Sequence, residues 1–317
     1  MRSNSLPGTG LQLSVIALGT GEFGGAISEA EAFAQLNTYV EAGGNFIDTA
    51  SVYADWRPGE KSSSEKVIGR WLKESRADVT VATKGGHPDL IPDAKPRLDA
   101  ASLLQDVDAS RRNLGRDTLD LYWLHRDDPQ RPVGDILEIL ENLVRAGKIR
   151  HYAFSNWKLE RAREARRVAG ENGWQGFVAS QLMWSLGKPE MQYLDPTMAE
   201  MTPDFDHWHE QENLAAVPYS SQAGGYFSKL ARDPAAAERS GVYHTAANRE
   251  RGLRAMQLAH ETSLTVTQIV LGWLLSHPFP VFPIIGPKNL SQLQDSLEAS
   301  DSVLTPEQLR WLRDGPA

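Results

Sequence analysis

The chain has 317 residues, 41% hydrophobic and 23% charged, enough apolar side chains for one large core or two modest ones. A net charge of -8 argues against a nucleic-acid groove or an anionic-membrane surface, while leaving room for a local basic pocket. With no cysteine there is no disulfide framework, no thiolate nucleophile and no cysteine-ligated zinc.

The opening MRSNSLPGTGLQLS has neither the basic start nor the unbroken apolar segment of a signal peptide. No apolar run reaches the ~18 residues of a membrane span, so a soluble, cytoplasmic protein is expected. An apolar strand is predicted at 15–18, then a helix over 28–42. Ser28 and Glu31 form a capping-box pattern at its start, and Gly43-Gly44 ends it. A strand at 45–48, a helix over 64–75, a strand at 79–84 and a helix over 99–114 follow. Next come a strand at 119–125 and a helix over 133–146, where Leu137, Leu140, Leu143 and Val144 mark one buried face. Gly147 stops that helix before a strand at 149–155, a helix over 158–172 and a strand at 177–181. The last strands fall at 215–219 and 281–286, with helices over 247–261, 265–276 and 290–299.

Strands alternating with helices favour a parallel, helix-wrapped sheet, and their number favours a (β/α)8 TIM barrel as one domain over 1–317. An open doubly wound sheet is the alternative, but no strand leads into G-x-G-x-x-G. Two irregular stretches, 187–209 and 223–245, follow the sixth and seventh strands. They predict long loops on the C-terminal face, where barrels bind ligands.

The strand ends carry chemistry. The second ends on Asp48, the third on Lys84, the fourth on His125, and Tyr53 lies just beyond the second. A tyrosine titrates near ~10, and a lysine ammonium beside it is expected to lower that value. An aspartate would compensate the buried lysine, and a neutral histidine would orient a substrate oxygen. Such a set suits proton transfer to or from oxygen. Singly, each residue has a plainer reading as a cap, a loop lysine, an interior histidine or a packing tyrosine. The fifth strand ends in Ser155-Asn156, the sixth in Gln181, and the seventh runs into Tyr219-Ser220-Ser221-Gln222. These offer hydrogen bonds for an amide or phosphate and a flat ring for stacking. Lys288, ahead of the last of these helices, suits a phosphate site. His207 and His209 lack a third ligand, so they are expected to be a surface pair and no metal is expected.

Taken in order, GTGEFGG, GGNFIDTASVY, VATKGG, LHRDDP, GKIRHYAFSNW, SQLMWS, VPYSS and IIGPKN resemble the motifs of the aldo-keto reductase superfamily from about residue 11 to 299. The resemblance implies a barrel that binds NADP(H), less often NAD(H), and interconverts aldehydes or ketones with alcohols. Tyr53 would be the general acid or base, Lys84 and Asp48 would tune it, and His125 would position the carbonyl. Ser155, Asn156 and Gln181 would hold the nicotinamide amide under Tyr219. Thr20 and Gly21 in the first loop, Ser220, Ser221 and Gln222 after the seventh strand, and Ile285, Gly286 and Lys288 after the eighth would contact the rest of the cofactor. Gln292, Asp295 and Ser296 occupy the adenine-side positions, where the family's usual pattern has glutamate and asparagine for the last two and some relatives have arginine for the first. Lys288 favours NADPH; Gln292 keeps NADH open. Phe23, Trp56, His87, Arg126 and Trp184 are the candidate substrate wall, and its polar members point to a hydroxylated or anionic substrate such as a sugar or polyol. Alternatives are a non-catalytic nucleotide-sensing subunit and a metal-dependent hydrolase, for which the strand ends carry too few ligands.

Overall fold

The computed structural model describes residues 1–316; Ala317, the last residue of the expected domain, lies outside them. A hairpin comes first, β1 (Ser3–Ser5) antiparallel to β2 (Gln12–Ser14). Gly8 and Gly10 adopt φ +76° and +75° in its loop, a conformation that side chains with a Cβ disfavour. The barrel strands are β3 (Ala17–Gly19), β4 (Phe46–Asp48), β5 (Thr80–Gly85), β6 (Leu119–Leu124), β7 (Ile149–Ser155), β8 (Ala179–Gln181), β9 (Ala215–Ala216) and β10 (Ile284–Ile285). They pair in parallel in the order β10-β3-β4-β5-β6-β7-β8-β9. Hydrogen bonds from Ala216 to Pro280 (2.9 Å), Phe282 to Ala216 (2.8 Å) and Ile284 to Pro218 (2.9 Å) join the two ends of that sheet. The sheet is therefore a (β/α)8 barrel, as the alternation of elements predicts.

The helices are α1 (Glu29–Glu41), α2 (Ser63–Ser75), α3 (Ala100–Leu114), α4 (Val133–Arg145), α5 (Leu159–Asn172) and α6 (Pro203–Glu212). After them come α7 (Tyr226–Arg232), α8 (Pro234–Glu238), α9 (Ala246–Glu261), α10 (Val266–Leu275), α11 (Leu290–Glu298) and α12 (Pro306–Asp314). The Ser28–Glu31 capping box forms at α1, and Asp99 accepts the Ser102 N–H at α3; each such cap is worth about 1 kcal/mol. The stretch over 187–209 is not all loop. Thr202 caps α6, Pro203 sits at its first turn, and Phe205 and Trp208 bury one face. The stretch over 223–245 likewise contains α7 and α8.

The period-two alternation of strands divides the apolar residues between two cores. Ile47, Val81, Tyr122, Leu124, Tyr152 and Phe154 pack outward with the helices. Phe46, Ala82, Leu121, Trp123, Ala153, Ala179, Ala215 and Phe282 fill the barrel interior, joined from below by Leu6 and Leu13 of the hairpin. The α2 and α3 helices approach closely at Gly69, where an added Cβ would lie 2.0 Å from the Asn113 carbonyl oxygen. Among the described residues, no helix is long and apolar enough to cross a membrane.

Candidate active site

The same alternation decides which strand-end residues face one another. Phe46 points inward and Ile47 outward, so Asp48 points inward; Ala82 points inward and Thr83 outward, so Lys84 follows. The parity continues through Trp123 to His125, Ala153 to Ser155, Ala179 to Gln181, and Val217 to Tyr219. Asp48 pairs in register with Ala82, one inward position below Lys84, and the flexible lysine chain bridges that step.

Lys84 Nζ donates to Asp48 Oδ2 (2.5 Å), to Tyr53 Oη (2.8 Å) and to the Thr49 carbonyl (2.9 Å). Gln181 Nε2 donates to the other Asp48 oxygen at 2.9 Å. The Asp48 and Lys84 side chains are both 1% exposed, so neither charge can fall back on water. Burial works against the Lys84 ammonium, but Asp48 and Tyr53 outweigh it, so lysine titrates above its ordinary value. Burial also raises Asp48, with Lys84 and the Gln181 amide pulling back.

Tyr53 departs from the sequence expectation. Lys84 does favour the phenolate, but burial is the larger effect and the Asp48 charge adds to it. Its hydroxyl therefore titrates above the ordinary tyrosine range, not below it. His125 meets the Tyr53 ring edge-on at 6.0 Å and His87 at 4.7 Å. Burial, reinforced by Lys84, His87 and Arg126, holds it well below the usual histidine range, and its buried Nδ1 has no partner. A neutral imidazole with an uncommitted nitrogen is thus beside the tyrosine.

Of the candidate substrate wall, Trp56 is 50% exposed and packs edge-on to Tyr53 at 6.1 Å, while His87 touches His125. Arg126 is buried; its Nε donates to Thr197 Oγ1 (2.9 Å) and its Nη1 to the His125 carbonyl (3.0 Å). Two members lie elsewhere. Phe23 is 1% exposed within the outer core. Trp184 packs on Trp273, His277 and Phe279 and lines a cavity of about 620 Å³ with Glu200, Asp206 and Arg313, which none of the catalytic candidates enters. The chain leaves the β8 alternation after Gln181, and Trp184 turns away from the barrel axis with it.

The cofactor candidates divide in the same way. Ser155 Oγ donates to the Gln181 carbonyl (2.8 Å). Asn156 (φ +63°) accepts the Tyr219 hydroxyl at 2.7 Å, next to the cluster. Thr20 Oγ1 is tied to the Asp48 carbonyl (3.0 Å) and Ser221 Oγ to the Ile284 carbonyl (2.5 Å), so both hydroxyls hold loops in place. Gln222 donates to Ser296 Oγ (3.1 Å), and Asp295 accepts from Thr265 (2.8 Å). Lys288 is exposed just ahead of α11, and its N–H donates to Gln292 Oε1 (2.9 Å). Ser220 holds φ +52°, and Ile285 is buried beside β3. A Cβ added to Gly21 or Gly286 would meet nothing within 4 Å, so open space adjoins both glycines.

His209 corrects the expected surface pair. It is fully buried, with Nε2 on Ser180 Oγ (2.9 Å) and Nδ1 on the Leu214 carbonyl (2.8 Å), and burial pulls it down to about 4. Both ring nitrogens are spent on holding β8 to the end of α6. Three residues at the site carry no signal of their own in the sequence reading: Thr49, whose carbonyl accepts a hydrogen bond from Lys84, and Asp195 and Thr197, which reach Arg126. Thr49 adjoins Asp48 and could have been found there; the other two had no local signal.

The structure is thus a parallel barrel with a carboxylate, an ammonium and a phenol in hydrogen-bond contact at the C-terminal ends of its strands. The Aldo/keto reductase family model matches residues 15–314, and the chain belongs to that family. It is 29% identical to the uncharacterized oxidoreductase YrpG of Bacillus subtilis, over 96% of this chain and 93% of the relative. Identity is 28% to an aryl-alcohol dehydrogenase [NADP(+)] of Phanerodontia chrysosporium, over 97% and 84%. Norsolorinic acid reductase A of Aspergillus parasiticus is 26% identical, over 97% and 79%. The protein is an oxidoreductase-family barrel along nearly its whole length.

Proposed function

We propose that this protein interconverts an aldehyde or ketone with an alcohol, with NADP(H) as the favoured cofactor and Tyr53 as the proton-transfer group. The observation that carries this reading is the Lys84 ammonium seated between Asp48 at 2.5 Å and Tyr53 at 2.8 Å. When bound, the nicotinamide supplies or accepts the hydride at the carbonyl carbon. The chain's own part is the proton. In reduction, Tyr53 gives its phenolic proton to the carbonyl oxygen, and in oxidation it takes that proton back. A raised pKa keeps Tyr53 protonated at neutral pH, as a donor must be. Lys84 stabilises the phenolate that remains, and Asp48 keeps Lys84 charged without water. Neutral His125 donates a hydrogen bond that orients the carbonyl oxygen.

The donor set suits the cofactor. Ser155, Asn156 and Gln181 offer amide-binding groups beside the Tyr219 ring, and open space borders Gly21 and Gly286. Exposed Lys288 before the α11 N-terminus suits a 2′-phosphate, and one relative is an NADP(+) enzyme by its name. Gln292 supplies no second cation, so NADH remains the alternative cofactor.

The test is Tyr53→Phe. Turnover on a panel of aldehydes, ketones and sugars should fall by about 100- to 10,000-fold, the usual worth of general acid catalysis. Cofactor binding, followed by fluorescence quenching with NADPH and NADH, should persist. Undiminished turnover would remove Tyr53 from the mechanism.

A further inference from the structure

Arg126 is a cation with an incomplete set of partners. It is 7% exposed, and burying a guanidinium is costly unless its donors are satisfied. Two arms meet neutral acceptors, the Thr197 hydroxyl at 2.9 Å and the His125 carbonyl at 3.0 Å. The Nη2 arm faces the Asp195 carboxylate at 3.8 Å, beyond hydrogen-bond distance. Asp195 is 45% exposed and is occupied otherwise, since its Oδ1 takes the Thr197 N–H (2.8 Å) and hydroxyl (2.7 Å).

Charge balance singles out the same residue. Lys84 is matched by Asp48. Burial lowers His87 against its bond to the Pro88 carbonyl, with Arg126 adding to the lowering, and burial with Lys84, His87 and Arg126 lowers His125, so both imidazoles favour the uncharged form. Arg126 faces only the half-exposed Asp195 carboxylate among the described residues, at 3.8 Å and outside hydrogen-bond distance. It is also near the chemistry, since its charge bears on Tyr53, His125, His87 and Tyr219.

Building on the reductase reading, we propose that Arg126 is a carboxylate-recognition residue, and that the preferred substrates are carbonyl compounds carrying a carboxylate. The planar guanidinium fork matches a carboxylate in geometry, and one cation balances a monoanion. Asp195 acts as a resident placeholder. It lies close enough to screen Arg126 and too far to bond it, and Thr197 retains it when a substrate carboxylate takes the Nη2 arm. Arg126 thus sets which carbonyl compound is held, while Tyr53 sets what happens to it.

The experiment compares 4-carboxybenzaldehyde with methyl 4-formylbenzoate, which differ in charge at one end and share the same aldehyde. NADPH-dependent kcat/KM is measured for both with the wild type, Arg126→Gln and Asp195→Asn. The wild type should favour the acid by about 10- to 100-fold, the range of a charge-assisted hydrogen bond. Arg126→Gln should bring the ratio near one through KM for the acid, and Asp195→Asn should preserve or widen it. The ratio within one variant is insensitive to how much of that variant folds. Where Arg126→Gln has no turnover, competitive inhibition of the wild type by benzoate and not by benzamide supports the subsite, and equal inhibition overturns it. A wild type that handles ester and acid alike also overturns it while leaving the reductase reading intact. If a whole panel of aldehydes and ketones is inert, the reductase reading fails and takes this inference with it.

Discussion

Asp48→Asn removes the counter-charge of Lys84 with almost no change in volume. Both side chains are 1% exposed, so no water replaces the lost carboxylate oxygen. Breaking a buried pair from one side costs roughly 3–5 kcal/mol. An unfolding entropy of about 2.1 cal/mol/K per residue over 317 residues is about 0.67 kcal/mol/K. The melting temperature should therefore fall by about 5–7 °C. The pH dependence carries a sign. In the wild type, Lys84 titrates above its unfolded value, so its stabilisation is complete at neutral pH and is lost only as pH rises through the folded pKa. In Asp48→Asn, burial acts without the carboxylate's attraction and the folded pKa drops below the unfolded one. The deficit then shrinks with rising pH, because folded Lys84 releases its proton first. Adding Lys84→Met removes the stranded charge, so the double variant should recover most of the lost stability while staying inactive. Calorimetric melts of the wild type and the two variants between pH 6 and about 9 decide it. An Asp48→Asn variant melting within about 1 °C of wild type, or a double variant less stable than the single, would refute the reasoning.

Two further outcomes follow from residues away from the cluster. Gly69→Ala in α2 would ordinarily gain up to about 1 kcal/mol of helix propensity, yet its Cβ would lie 2.0 Å from a backbone oxygen of α3. It should instead lose about 1–3 kcal/mol in urea melts, and a gain would show that the two helices separate freely. His209 is pulled down to about 4, so its contribution is present above the ordinary histidine value and is lost as pH falls through 6.5 towards 4. That shift corresponds to about 3 kcal/mol. His209→Gln should flatten stability over that window, and an unchanged acid limb would contradict it.

The inward-facing strand ends were legible because the period-two rule ties each to an apolar residue two positions earlier. Phe46 announces Asp48, Ala82 announces Lys84, and Leu121 and Trp123 announce His125. The rule fails where the strand stops. Trp184 follows Gln181 in sequence but belongs to another layer, and no alternation could reveal that. Asp195 and Thr197 meet Arg126 across some 70 residues (71 for Thr197), through a loop whose path follows from its closure on the barrel and not from any repeat. The direction of the Tyr53 shift needed the structure as well. Its charged neighbours were legible in the sequence, but the depth of burial that outweighs Lys84 was not. The α6 cap was there to be read in Thr202-Pro203, although its surroundings resembled a loop.

The N-terminal hairpin gives the barrel a floor. Leu6 and Leu13 press on Phe46 and Phe282 at the lower rim, and Asn45 is stitched to Ser14 by hydrogen bonds of 2.6 and 3.1 Å. A floored barrel is a cup and not a conduit. Its open end is the C-terminal rim, where Asp48 and Lys84 lie buried beside Tyr53 and half-exposed Trp56 packs edge-on to the Tyr53 ring.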